Sequence, residues 1–141
     1  MDFPTELGVL TCLMILAATL WMPQIIGTAR IKPEDWPKDA PDGFVRINNP
    51  HMMPPWIGRA HRAHMNLLEQ AMPFAVLVLL VDRMDGFTAL TYWTAIVFFW
   101  LRVAHAVGYI TGWAGMPLRP LIFTAGWVCV LIMGYAVFAA G

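Results

Sequence analysis

Residues 58–74 read GRAHRAHMNLLEQAMPF, and the fold turns on how this stretch is understood. Arg59, Arg62, Asn66 and Glu69 open an otherwise oily segment at steps of three, four and three residues. Side chains at that spacing lie on one face of an α-helix, so all four groups address a single partner surface. The apolar residues between them, and the run that follows to Val81, are those of a helix that crosses a bilayer. A charge at the bilayer centre costs from about 3 to more than 10 kcal/mol, so polar groups in such a helix pair with one another or with a ligand.

Composition leaves no soluble alternative. The chain has 141 residues, 59% hydrophobic and 13% charged, with a mean hydropathy of +0.61. Soluble domains run nearer to about 45–50% apolar and about 25% charged. Four apolar runs, 5–29, 63–81, 87–110 and 117–140, each approach or exceed the roughly 20 residues a membrane helix needs. They predict an all-α, integral membrane four-helix bundle, a single membrane domain over residues 1–141. The leading MDFPTEL has no basic segment of the kind that starts a signal peptide, so the first run is expected to stay as a helix. Pro23 and Pro73 fall within two of the runs and predict kinks rather than breaks.

The connections set the order of the helices. Residues 31–56, rich in proline, glycine and asparagine, predict a long polar loop, whereas 82–86 is a tight turn that makes the second and third helices antiparallel neighbours. Arg30, Lys32, Lys38, Arg46, Arg59 and Arg119 flank the first and third connections, and only Arg83 borders the second. The first and third loops are therefore expected on the cytoplasmic side of a multi-pass integral membrane protein, which would sit in the inner (plasma) membrane if the source is bacterial. Nine basic and nine acidic residues cancel, so no global field draws in nucleic acid. Cys12 and Cys129 sit singly in apolar runs and read as small buried core residues.

A second polar constellation lies on the third run, where Arg102, His105 and Tyr109 share a face in its second half. Because the second and third helices are antiparallel, their polar halves occupy the same leaflet, together with Arg30 and Arg119. Glu69 and Arg102 each lie about 15 Å from the cytoplasmic end of their helix, which predicts a buried structural ion pair between them. Asn66 also suits a plain interhelical hydrogen bond, and Arg59 an interfacial anchor. His61 and His64, three residues apart, splay on the helix without a matching carboxylate–histidine pair, so no metal is expected. Haem needs two facing histidines, and His105 has only His64 as a conceivable mate.

These residues resemble a known family. RAHRAHMNLLEQAMPF, residues 59–74, is similar to the second-helix signature of the MAPEG family, the membrane-associated proteins in eicosanoid and glutathione metabolism. That signature runs Arg, two residues, Arg-Ala, two residues, Asn, two residues, Glu and then Phe; Arg59, Arg62, Ala63, Asn66, Glu69 and Phe74 fill it. RVAHAVGYI, residues 102–110, resembles the third helix of the prostaglandin E synthase branch, and size and layout agree along nearly the whole chain.

The resemblance implies a homotrimer of four-helix subunits with glutathione held between neighbours near the cytoplasmic side. Carried over by position, Arg30, Arg62, Asn66, Glu69, His105 and Tyr109 would bind glutathione, and Arg119 would be catalytic by activating its thiol. Carboxylates suit arginine forks, and a thiol with a pKa of about 8.5 ionises more readily beside a fixed cation. Departures fall at Pro120 and Phe123, where the prostaglandin synthase pattern has serine and tyrosine, at Gly58, where it has Glu, and in a slightly longer connection before Arg119. Prostaglandin synthesis is therefore not expected. The expected activity is a glutathione-dependent membrane transferase or peroxidase acting on a lipophilic small molecule or lipid; the alternative is a non-catalytic lipid-binding scaffold. A proton or solute conduit fits least, because the outer halves of the runs are almost wholly apolar.

Overall fold

The computed structural model describes residues 3–36 and 52–141. Among them the regular structure is wholly helical: α1 (Thr5–Thr19), α2 (Met22–Ala29), a 3-10 turn at Pro33–Asp35, α3 (Pro55–Arg83), α4 (Ala89–Thr111) and α5 (Leu118–Ala140). Thr5–Ala29 taken together, α3, α4 and α5 are four units long and apolar enough to cross a membrane, with window hydropathies from 1.4 to 2.2. The protein is a multi-pass integral membrane protein of the four-helix class.

Proline chemistry shapes the first unit. Pro23 has no N–H to offer the Thr19 carbonyl one turn back, and the chain turns at Leu20–Trp21 instead of continuing. The junction is kept nearly helical by Leu20 N–H donating to Leu16 O at 2.9 Å and by the Trp21 indole donating to Ala18 O at 2.7 Å. A kink was the expectation; the outcome is two helices end to end. Pro73, by contrast, leaves α3 continuous. That helix starts well before the hydropathy boundary at Ala63, because Pro54 and Pro55 preset the backbone for a first turn. Hydropathy misses this extension because His61 and the two arginines lower it without opposing helix formation.

Turn and cap chemistry fix the other ends. Gly86 N–H returns to Val81 O at 2.9 Å to close α3, and Thr88 opens α4 with a capping box shared with Thr91. Gly112, at φ 75°, ends α4 in the left-handed conformation that glycine adopts without strain.

The core runs along α3, where Leu67, Ala71, Phe74, Val78 and Val81 meet Leu10 and Leu13 of α1, Ala95 and Phe98 of α4, and Met133 of α5. Phe74 and Phe98 stack with ring centroids 3.9 Å apart, joining α3 to α4 at mid-height. Cys129 is in this core, but Cys12 is exposed on α1, contrary to the expectation that both are buried. A thiol is apolar enough to face hydrocarbon, so membrane helices do not force it inward as water would. Residues 37–51, with Lys38 and Arg46 of the long polar loop, lie outside the described residues.

Candidate functional site

The polar face of α4 points inward. Arg102, His105 and Tyr109 are 1%, 3% and 6% exposed, against neighbours on α3 and α5. His105 and Tyr109, one turn apart, stack at 5.6 Å and 21°, and the Phe123 ring of α5 tilts against His105 at 6.2 Å. Arg119, in the first turn of α5, lays its guanidinium over the Tyr109 ring at 4.6 Å, a cation–π contact that fixes an otherwise exposed side chain. Beside these groups is a cleft of about 260 Å³ lined by Asn66, His105, Met116, Arg119, Pro120, Phe123 and Thr124. Three helices thus converge on one opening at the end where α4 finishes and α5 begins.

Behind the cleft lies a polar junction that spacing alone does not reveal. Arg102 donates through Nη2 to Ile122 O at 3.1 Å, and its charge sits 5.8 Å and 5.7 Å from the Phe98 and Phe123 rings. Gln70 of α3 donates through Nε2 to Phe123 O at 3.0 Å. Both side chains occupy the space left by the missing side chain of Gly126, where a Cβ would run into Gln70 Oε1 and Arg102 Nη2. Arg102 Nε and Nη1 and Gln70 Oε1 are buried with no hydrogen-bond partner among the described residues.

This junction corrects one expectation. Within the chain, Arg102 is not paired with Glu69: the ion pair found among the described residues is Lys32–Glu34, at 3.8 Å on the surface. Glu69 is exposed, and its neighbour Gln70 points inward instead. Equal depth on antiparallel helices was the basis for the pairing, but a step of one residue turns a side chain by more than a quarter turn, and direction decides contact. Gln70 could have been suspected as an amide inside an apolar run, and Gly126 as a place where helices approach closely.

The remaining candidates divide by helix face. Asn66 is half-buried and lines the cleft; Arg62 is exposed on α3 and Arg30 is exposed where α2 ends, both outside the cleft lining. Arg59 donates through Nε to Ile110 O at 3.4 Å and lies 3.5 Å from the Cβ position of Gly112, so it binds the carbonyl end of α4, where a cation is favoured. His61 Nδ1 donates to Gln24 Oε1 at 3.0 Å and His64 Nε2 to Ala17 O at 3.2 Å. The two histidines therefore tie α3 to the first span at separate points.

Electrostatically the cleft is a cationic pocket. Arg119 lines it and Arg102 lies behind it, and among the described residues no carboxylate lines the opening. Its donors are a guanidinium, an imidazole, an amide and the Thr124 hydroxyl, a set suited to an anion with several hydrogen-bond acceptors. Pro120 and Phe123, the two departures noted in the sequence, both lie in its wall.

The chain belongs to the MAPEG family, whose model matches residues 8–139. Membership places it among membrane proteins of glutathione or eicosanoid metabolism, a family whose members generally use glutathione. No curated protein matches the chain closely enough to serve as a relative.

Proposed function

We propose that this protein is a glutathione-dependent membrane transferase or peroxidase that acts on lipophilic electrophiles entering from the bilayer. The observation that carries the reading is the convergence of Asn66, His105 and Arg119 on one cationic cleft, with Tyr109 held beneath Arg119. In this reading Arg119 holds the sulfur of glutathione as thiolate, and the attack forms a carbon–sulfur bond while the leaving group departs with its electron pair. His105, Tyr109 and Asn66 orient the peptide, and Arg30, Arg62 and Glu69 bind its charged ends. Fixing a polar and an apolar substrate side by side removes most of the entropic barrier to their meeting.

A homotrimer is part of the proposal. Arg62 and Glu69 are exposed on a membrane-length helix, where lipid is a poor neighbour for either charge. A second copy of the chain packed on that face would enclose them and complete the site, while the basic first and third loops lie on the cytoplasmic side. The single membrane domain then spans the entire chain.

Calorimetric titration of detergent-purified protein with glutathione tests the reading, followed by conjugation of an aryl halide. Saturable binding with turnover supports the enzyme. Folded protein that fails to bind glutathione refutes it and favours a lipid-binding scaffold, the reading to which Pro120 and Phe123 in the cleft wall lend weight.

A further inference from the structure

The opposite end of the bundle holds a buried acid that the proposed chemistry does not use. Glu6, in the first turn of α1, is 5% exposed and accepts a hydrogen bond from Thr91 Oγ1 at 2.8 Å through Oε1. Thr91 lies in the first turn of α4, so the first turns of two helices meet at this carboxylate. Among the described residues no lysine, arginine or histidine forms an ion pair with it. Glu6 nonetheless borders an open depression of about 400 Å³, together with Phe87, Thr88, Ala89 and Tyr92. With α4 of 23 residues, about 35 Å long, between them, this depression and the arginine-bearing cleft belong to opposite membrane surfaces.

We propose that this depression binds an alkylammonium group, of the kind carried by ethanolamine and choline headgroups or by a small soluble amine. The carboxylate supplies the counter-charge, and two of the lining residues, Phe87 and Tyr92, carry aromatic rings of the kind that attract an organic cation. An anion is excluded by the sign of Glu6. A calcium ion, which takes six to eight oxygens, is a poor match for one carboxylate and the Thr88 hydroxyl, and no three His, Cys, Asp or Glu side chains converge among the described residues. Placement agrees as well, since Glu6 is the second residue of a membrane helix and so lies near headgroup depth.

Native mass spectrometry of the intact protein, released from micelles doped with ethanolamine, choline or glycerol phospholipids of matched acyl chains, tests this. The ammonium lipids are expected to remain bound at least about tenfold better than the glycerol lipid, the range of a charge-assisted hydrogen bond. Glu6→Gln is expected to abolish the preference and leave glutathione titration unchanged. Tyr92→Leu, which spares the Glu6–Thr91 bond, is expected to weaken it about threefold and decides the matter if Glu6→Gln does not fold. Displacement by free ethanolamine identifies a soluble amine as an equally good occupant, and resistance to it identifies the lipid headgroup. No preference in the wild type, or a preference that survives in both variants, overturns the proposal.

Discussion

Gly126→Ala tests whether the buried polar junction holds α3, α4 and α5 together. The added methyl would overlap Gln70 Oε1 and lie 2.7 Å from Arg102 Nη2 and 3.0 Å from its Cζ, against an ordinary contact of roughly 3.5–4.0 Å. Neither side chain can withdraw without losing a bond, because Gln70 is tied to Phe123 O at 3.0 Å and Arg102 to Ile122 O at 3.1 Å. A neutral bond contributes about 1 kcal/mol and one from a charged group about 1.5–3 kcal/mol. Replacing a helical glycine by alanine returns about 1 kcal/mol. The variant should thus be less stable by about 1.5–3 kcal/mol, read as a lower unfolding midpoint in detergent with helix content followed by circular dichroism. Gly134→Ala on the same helix is the control, since its methyl meets only Leu77 Cδ1 at 3.9 Å. It should match or slightly exceed the wild type. If Gly126→Ala unfolds together with Gly134→Ala, the junction contributes nothing to packing and the reasoning fails.

Other outcomes follow from the cleft and the chain's orientation. Arg119→Ala should leave glutathione affinity within a few fold and lower turnover by about 10²-fold, with a parallel fall in thiolate absorbance, as when one electrostatic stabiliser is removed; full turnover would reduce Arg119 to an anchor. Tyr109→Phe should keep kcat because the ring under Arg119 remains, and raise KM a few fold through loss of the hydroxyl that orients the peptide, whereas Tyr109→Leu should also lose a contact of about 0.5–2 kcal/mol and loosen Arg119, seen as a drop in kcat. A single cysteine placed at Glu34 of the first loop, with Cys12 and Cys129 replaced, should resist an impermeant maleimide in intact cells and react after lysis. Labelling from outside would reverse the orientation.

Most of the helical architecture was legible because the bilayer imposes a simple rule: a backbone in hydrocarbon must satisfy its own hydrogen bonds, so long apolar runs become helices. What hydropathy could not mark were the places where polar residues are helical, as at the start of α3, or where proline divides a run, as before Pro23. Glu6 carries no signal in the sequence because the first turn of a membrane helix is an ordinary place for an acid; only its burial against Thr91 of a distant helix singles it out. Gln70 was masked by the charged residue beside it.

The stripe on α3 shows where periodicity stops and packing begins. Spacing states that Arg59, Arg62, Asn66 and Glu69 share a face, but not how that face is turned within the bundle. In the structure it lies at the bundle's edge: Arg59 and Asn66, seven residues apart, are half-buried and reach α4 and the cleft, while Arg62 and Glu69, also seven apart, are exposed. A stripe turned wholly inward would serve a site within one chain, and one turned wholly outward would merely hold copies together. A stripe divided along its length gives part of its polar groups to this chain's cleft and leaves the rest at the surface, which is why the proposed reading assigns Arg62 and Glu69 to a site completed by a second copy.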